Sequence, residues 1–127
     1  MKRDMELVRK ILIDVQSRTD TIPRGLIIDG YDDAVVARHA EMLVESGLLK
    51  GNVSPRSSDT PYPTVIVQEL SWEGHDFVDA LETEGVWKTI TSKFSAGEIA
   101  SMPLSILKNV GMKLAEYYAM QKLGMTD

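Results

Sequence analysis

Trp72-Glu73-Gly74-His75-Asp76 is the densest polar and aromatic cluster in the chain, and its residue types are those of metal and proton-transfer sites. His75 and Asp79 stand four apart, a spacing that shares a helix face. There an imidazole and a carboxylate could serve as metal ligands or as a general base with its partner. Glu73 and Asp76 add carboxylates on neighbouring turns. The remaining ligand set is thin. The chain holds only two histidines, His39 and His75, and no cysteine, which removes Cys-type zinc sites, thiolate nucleophiles and disulfides together. A structural role accounts for the same residues. Ser71 caps a helix, Trp72 packs on the strand before it, the acids favour the helix's positive N-terminal end, and Gly74 allows close backbone approach. No catalytic residue, metal ligand or cofactor is therefore expected. His39, four residues after Val35, is expected to be a satisfied group at the core edge rather than a ligand.

The elements that must position these residues follow from spacing and punctuation. Met5, Val8, Ile11, Leu12 and Val15 recur at helical intervals and predict a first helix over 4–15. Thr19 to Gly25 carries turn residues and Pro23, which ends it. Leu26-Ile27-Ile28 is too short for a helix and suits a strand. Asp32 or Asp33 can cap a second helix whose face is Val36, Ala40, Leu43 and Val44 and which stops at Gly47. Leu48 and Leu49 open a strand toward Val53, and the β-branched run Thr64 to Leu70 returns. Between them, Ser54 to Pro63 holds three prolines and three serines, the composition of an exposed loop tip. Ser71 opens a third helix burying Phe77, Val78 and Leu81. After a break at Gly85, a short helical piece follows at Val86-Trp87-Lys88. Phe94 to Gly97 interrupts again, and Pro103 in the first turn starts a last helix over roughly 103–122.

Helix, strand, loop tip, returning strand and helix from Asp32 to Leu81 is the order of a winged helix-turn-helix. The expected fold class is α+β: a winged helix-turn-helix with a small antiparallel wing sheet, a degenerate or missing middle helix, and an added C-terminal helix. One domain over 1–127 is expected, with the winged core at about 3–83 and the helical extension at about 86–124.

Two motifs carry a resemblance. The start Met1-Lys2-Arg3-Asp4-Met5-Glu6-Leu7 and the later Leu70-Ser71-Trp72-Glu73-Gly74-His75-Asp76-Phe77-Val78 resemble a family of short bacterial and prophage proteins without an established activity. That family's second motif reads Leu-Thr-Trp-Glu-Gly-His-Asp-Phe-Leu, so Ser71 and Val78 are conservative departures. The resemblance implies a winged-helix-like fold and frequent carriage on mobile elements. It supplies no catalytic residues.

Charge bears on partners. The formal net charge is −5, which disfavours unaided non-specific binding to nucleic acid. Between Ser71 and Gly85 stand five acids and no Lys or Arg. A recognition helix meets base edges through its N-terminal half, yet here that half reads Asp32-Asp33-Ala34-Val35-Val36-Ala37-Arg38. DNA contact would have to come from Arg38 and from Lys50, Asn52 and Arg56 of the wing, which can enter a minor groove without the helix. The last helix offers another surface. Leu107, Val110, Leu114, Tyr117 and Tyr118 form an apolar stripe, and Met112, Met120 and Met125 lie beside it. Aromatic and Met enrichment suits an interface. No apolar run reaches the roughly 18 residues of a membrane span, and the N-terminus lacks a continuous apolar signal. The expectation is a cytoplasmic, non-enzymatic accessory protein acting through protein contact, as a homodimer with no membrane partner. The alternative is a DNA-binding regulator using the wing and the helix at 32–46.

Overall fold

The computed structural model describes residues 2–55, 59 and 61–125. Among them the fold is mixed α and β, with six helices and one two-stranded antiparallel sheet. The order is α1 (Met5–Gln16), α2 (Asp33–Glu45), β1 (Leu49–Ser54), β2 (Thr64–Leu70), α3 (Trp72–Glu82), α4 (Val86–Lys93), α5 (Ala96–Ser101) and α6 (Leu104–Lys122). The chain divides into two compact units, one of Glu6–His75 and one of Met1–Met5 with Asp76–Asp127.

In the Glu6–His75 unit, α1 buries Leu7, Val8, Ile11, Leu12 and Val15, the stripe its periodicity requires. Helix α2 buries Val36, Ala40 and Leu43 and packs against both strands. Asp32 takes the N-cap position of α2, but its carboxylate makes no capping hydrogen bond. Gly47, at φ 82°, ends the helix. The strands pair Leu49 with Leu70 and Lys50 with Glu69, then shift register between Lys50 and Gly51 so that Gly51 faces Val67. Such an irregularity increases local twist.

Leu26-Ile27-Ile28 is not a strand. The neighbouring segment touches the sheet at one point, where Arg24 and Val67 exchange both backbone hydrogen bonds, at 3.0 and 2.8 Å. Among the described residues no ladder continues beyond that pair. The Arg18 guanidinium instead donates to the carbonyls of Val67 at 2.8 Å and Gly25 at 3.3 Å. A side chain from the end of α1 thus holds this segment where a third strand would otherwise lie. Burial, followed by the nearby charge of Arg24, lowers the Arg18 pKa from its ordinary value.

Ser71 closes the turn into α3. Its hydroxyl accepts from the Gly74 N–H at 2.9 Å and donates to the Leu48 carbonyl at 3.2 Å. Trp72, expected to pack on β2, is instead 83% exposed. It stands at the first position of a helix fixed by Ser71 and Gly74, and that anchoring turns its indole away from the core.

In the other unit, Phe77, Val78, Ala80 and Leu81 of α3, Val86 and Ile90 of α4, Ile99 of α5 and Leu107 of α6 are buried. Helices α4 and α6 pack together. The Phe94–Gly97 region is less of a break than its composition suggests, because Ser95 and Glu98 form a reciprocal capping box and start α5. That S-x-x-E pattern is the sequence signal for this helix. Pro103 sits at the N-cap of α6, one residue before the first helical turn.

Candidate functional site

Three surfaces bring together residues of the kinds singled out by sequence. On the Glu6–His75 unit, Arg38 follows the first turn of α2, and its guanidinium lies 3.4 Å from the carboxylate of Glu41. Lys50 and Asn52 are both exposed on β1, and the Lys50 ammonium lies 3.6 Å from Glu69, its cross-strand partner. Each of these cations therefore meets phosphate only in competition with a carboxylate of its own surface. Arg56 lies outside the described residues. His39 is fully buried in α2, with Nδ1 2.8 Å from the Val35 carbonyl one turn earlier. It is a core group, inaccessible to a phosphate or a base edge.

The cluster at the start of α3 does not converge on one site. His75 lines a small cleft with Arg18, Asp20 and Glu69. Asp76 and Asp79 line a different cavity, with residues of α6. Imidazole and carboxylates thus open on separate spaces, although they are neighbours in sequence. Among the described residues no group of three or more His, Asp or Glu is arranged to hold a metal ion. In the cleft, Asp20 accepts from Arg24 Nη1 at 3.0 Å and from the Ile22 N–H at 2.9 Å. The Arg24 hydrogen bond, followed by the Ile22 one, lowers its pKa from the ordinary carboxylate value. Asp20 is held as an anion in a loop brace.

A second apolar concavity in the Glu6–His75 unit lies between α2 and the start of β2. Ile27 and Tyr62, both exposed, stand at it above Val36 and Ala40. Nothing in the sequence pattern separates Ile27 from a core strand residue.

On α6, Leu107 is fully buried and belongs to the interior of its unit. Tyr118 is tied inward, its hydroxyl 2.8 Å from that of Thr89 on α4. Val110 and Leu114 are half-buried, and Tyr117 is 49% exposed. Ile106, outside the expected stripe, is 48% exposed. Ile106, Val110 and Tyr117 recur at intervals of four and seven residues, which places them on one helix face. Separately, an open groove of about 660 Å³ runs between α3 and α6, lined by Asp76, Asp79 and Ala80 on one side and Met112, Glu116 and Ala119 on the other. No described helix is long and apolar enough to cross a membrane.

A family model described as "Hypothetical protein (DUF2513)" matches residues 2–99. A protein of Haemophilus influenzae described as "Uncharacterized protein" is 25% identical over 118 residues, covering 90% of this chain and 95% of its own. No solved structure matches.

Proposed function

With the chain a member of the DUF2513 family, we propose that it is a non-enzymatic accessory protein of bacterial or mobile-element origin, built on a winged helix-turn-helix frame and working in the cytoplasm as a homodimer. The frame is supported by the succession α1, α2, β1, β2, α3, with the Thr19–Tyr31 segment in place of a middle helix. The observation that carries the dimer is the face of α6 on which exposed Ile106 and Tyr117 flank half-buried Val110. Exposed apolar side chains sharing a helix face can serve as a contact site, and one helix face meeting its own copy about a two-fold axis is the simplest closed assembly. Sedimentation equilibrium of the full chain tests it. A dimer is expected at micromolar concentration, and a monomer persisting to high micromolar concentration overturns the assembly.

The second reading is a DNA-binding regulator. It is favoured by the outward placement of Lys50 and Asn52 on the hairpin, with Arg38 on α2 and, by its place in the sequence alone, Arg56 as further cations. The pairing of Arg38 with Glu41 and of Lys50 with Glu69 weighs against it, because each phosphate contact would first have to break an existing ion pair.

A further inference from the structure

We propose that the groove between α3 and α6 is a docking seam for an amphipathic helix of a partner protein, one that carries Lys or Arg beside a stripe of small apolar residues. The inference rests on the reading of this chain as an interaction protein and adds a second surface, distinct from the Ile106–Tyr117 face.

The two walls are stripes of matching period. Asp76 and Ala80 stand at i and i+4 on α3, with Thr83 just past its end at i+7, and Met112, Glu116 and Ala119 stand at the same intervals on α6. Residues so spaced form the ridge that one helix offers to the next. The pair therefore presents the seam into which a third helix of a bundle would lie. Ala80, Ala115 and Ala119 keep the lining low, and Met112, 41% exposed, is an adaptable apolar contact. From Asn109 to Ala119 the α6 wall is about 15 Å long, enough for roughly ten residues of a docked helix. Open along its length, the groove suits an element lying in it better than an enclosed small molecule.

Charge selects the occupant. The carboxylates of Asp76 and Glu116 line the groove against one cation, Lys113. The α3 region from Ser71 to Gly85 contains no Lys or Arg. Nucleic acid and anionic lipid would be repelled, whereas a cationic helix would bring its Lys or Arg side chains to these carboxylates as its apolar stripe covered Met112 and the alanines. Complementary charge of this kind raises the association rate and fixes register.

The test uses the full chain and a fluorescein-labelled peptide of about fourteen residues, with Leu and Ala at i, i+4 and i+7 flanked by Lys, and a second peptide with Glu in place of Lys. Fluorescence anisotropy at about 0.15 M salt is expected to show saturable one-to-one binding of the Lys peptide and none of the Glu peptide. Asp76→Lys combined with Glu116→Lys should weaken binding at least about tenfold, as should Ala119→Trp, which fills the seam. Tyr117→Lys should leave it unchanged. Circular dichroism establishes that each variant is folded, and both reversed charges lie at exposed positions. Absence of saturable binding, equal binding of the Glu peptide, or indifference to both groove variants overturns the proposal. So does a dimer dissociated by Ala119→Trp, which would give the groove to a second copy. Sedimentation of the same samples reports on self-association separately, so failure of the groove and failure of the dimer are distinguishable.

Discussion

The Leu48 carbonyl accepts two hydrogen bonds from Ser71, one from its N–H at 3.0 Å and one from its hydroxyl at 3.2 Å. The same carbonyl lies against Gly74, where a Cβ would collide with it. One backbone oxygen at the start of the hairpin thus fixes both the cap and the first turn of α3. Gly74→Ala should destabilise the chain by about 2–3 kcal/mol, in the range of overpacking against backbone that cannot yield. Ser71→Ala should cost about 1–2 kcal/mol, a lost N-cap with one further hydrogen bond. Urea unfolding followed by circular dichroism measures both.

Trp72→Ala should change stability by no more than about 0.5 kcal/mol, as for exposed positions generally. In a Trp87→Phe background the Trp72 emission should be that of a solvated indole, readily quenched by iodide. A blue-shifted, protected emission would place the ring in a contact instead.

Arg24→Ala should raise the pKa of Asp20 toward the ordinary carboxylate value, because the guanidinium hydrogen bond is the first cause of its lowering. With the folded pKa below the unfolded one, the stabilising contribution of Asp20 is present above about pH 4 and is lost as pH falls through the folded pKa. The variant should therefore lose stability at neutral pH and show a weaker acid dependence. A carboxyl NMR titration of Asp20 reads the shift directly, and an unmoved titration would remove Arg24 as its cause.

On α6, Leu107→Ala and Tyr117→Lys should separate folding from assembly. The first removes a fully buried side chain and should cost about 2–5 kcal/mol. The second alters an exposed one and should shift sedimentation toward monomer while leaving the unfolding midpoint of the monomer nearly unchanged. Loss of stability without change of mass in the second variant would assign Tyr117 to packing.

Retardation of duplex DNA should be absent at about 50 mM salt, a condition that favours electrostatic binding. If a shifted band is seen, Glu41→Gln and Glu69→Gln should strengthen it by freeing Arg38 and Lys50. Indifference to both would leave the described cations out of the contact.

Much of the scaffold is legible in the sequence because its signals are local. The α1 stripe, the Gly47 stop, the hairpin strands and the Ser71 cap each rest on spacing or on a residue with one conformational use, and Gly74 reads as the close approach it makes. What escapes depends on partners distant in sequence. A short apolar run becomes a strand only beside a neighbouring strand, and Leu26-Ile27-Ile28 has none because Arg18 and Arg24 serve that edge. Trp72 carries the composition of a core residue, but its direction is set by the cap before it. The α6 stripe is visible as a period, yet periodicity alone does not say that Leu107 turns inward while Ile106 and Tyr117 turn out. The groove is invisible for a similar reason: its walls are contributed by helices more than twenty residues apart.

Thr64–Leu70 is a β-branched, apolar run of the kind that templates cross-β assembly when an edge is left open. At Val67 that edge is occupied by the Arg24 backbone and by one nitrogen of the Arg18 guanidinium, both of which would have to be displaced before another chain could pair there. The strand thus has gatekeepers recruited from a loop and from just past a helix end rather than from the strand itself.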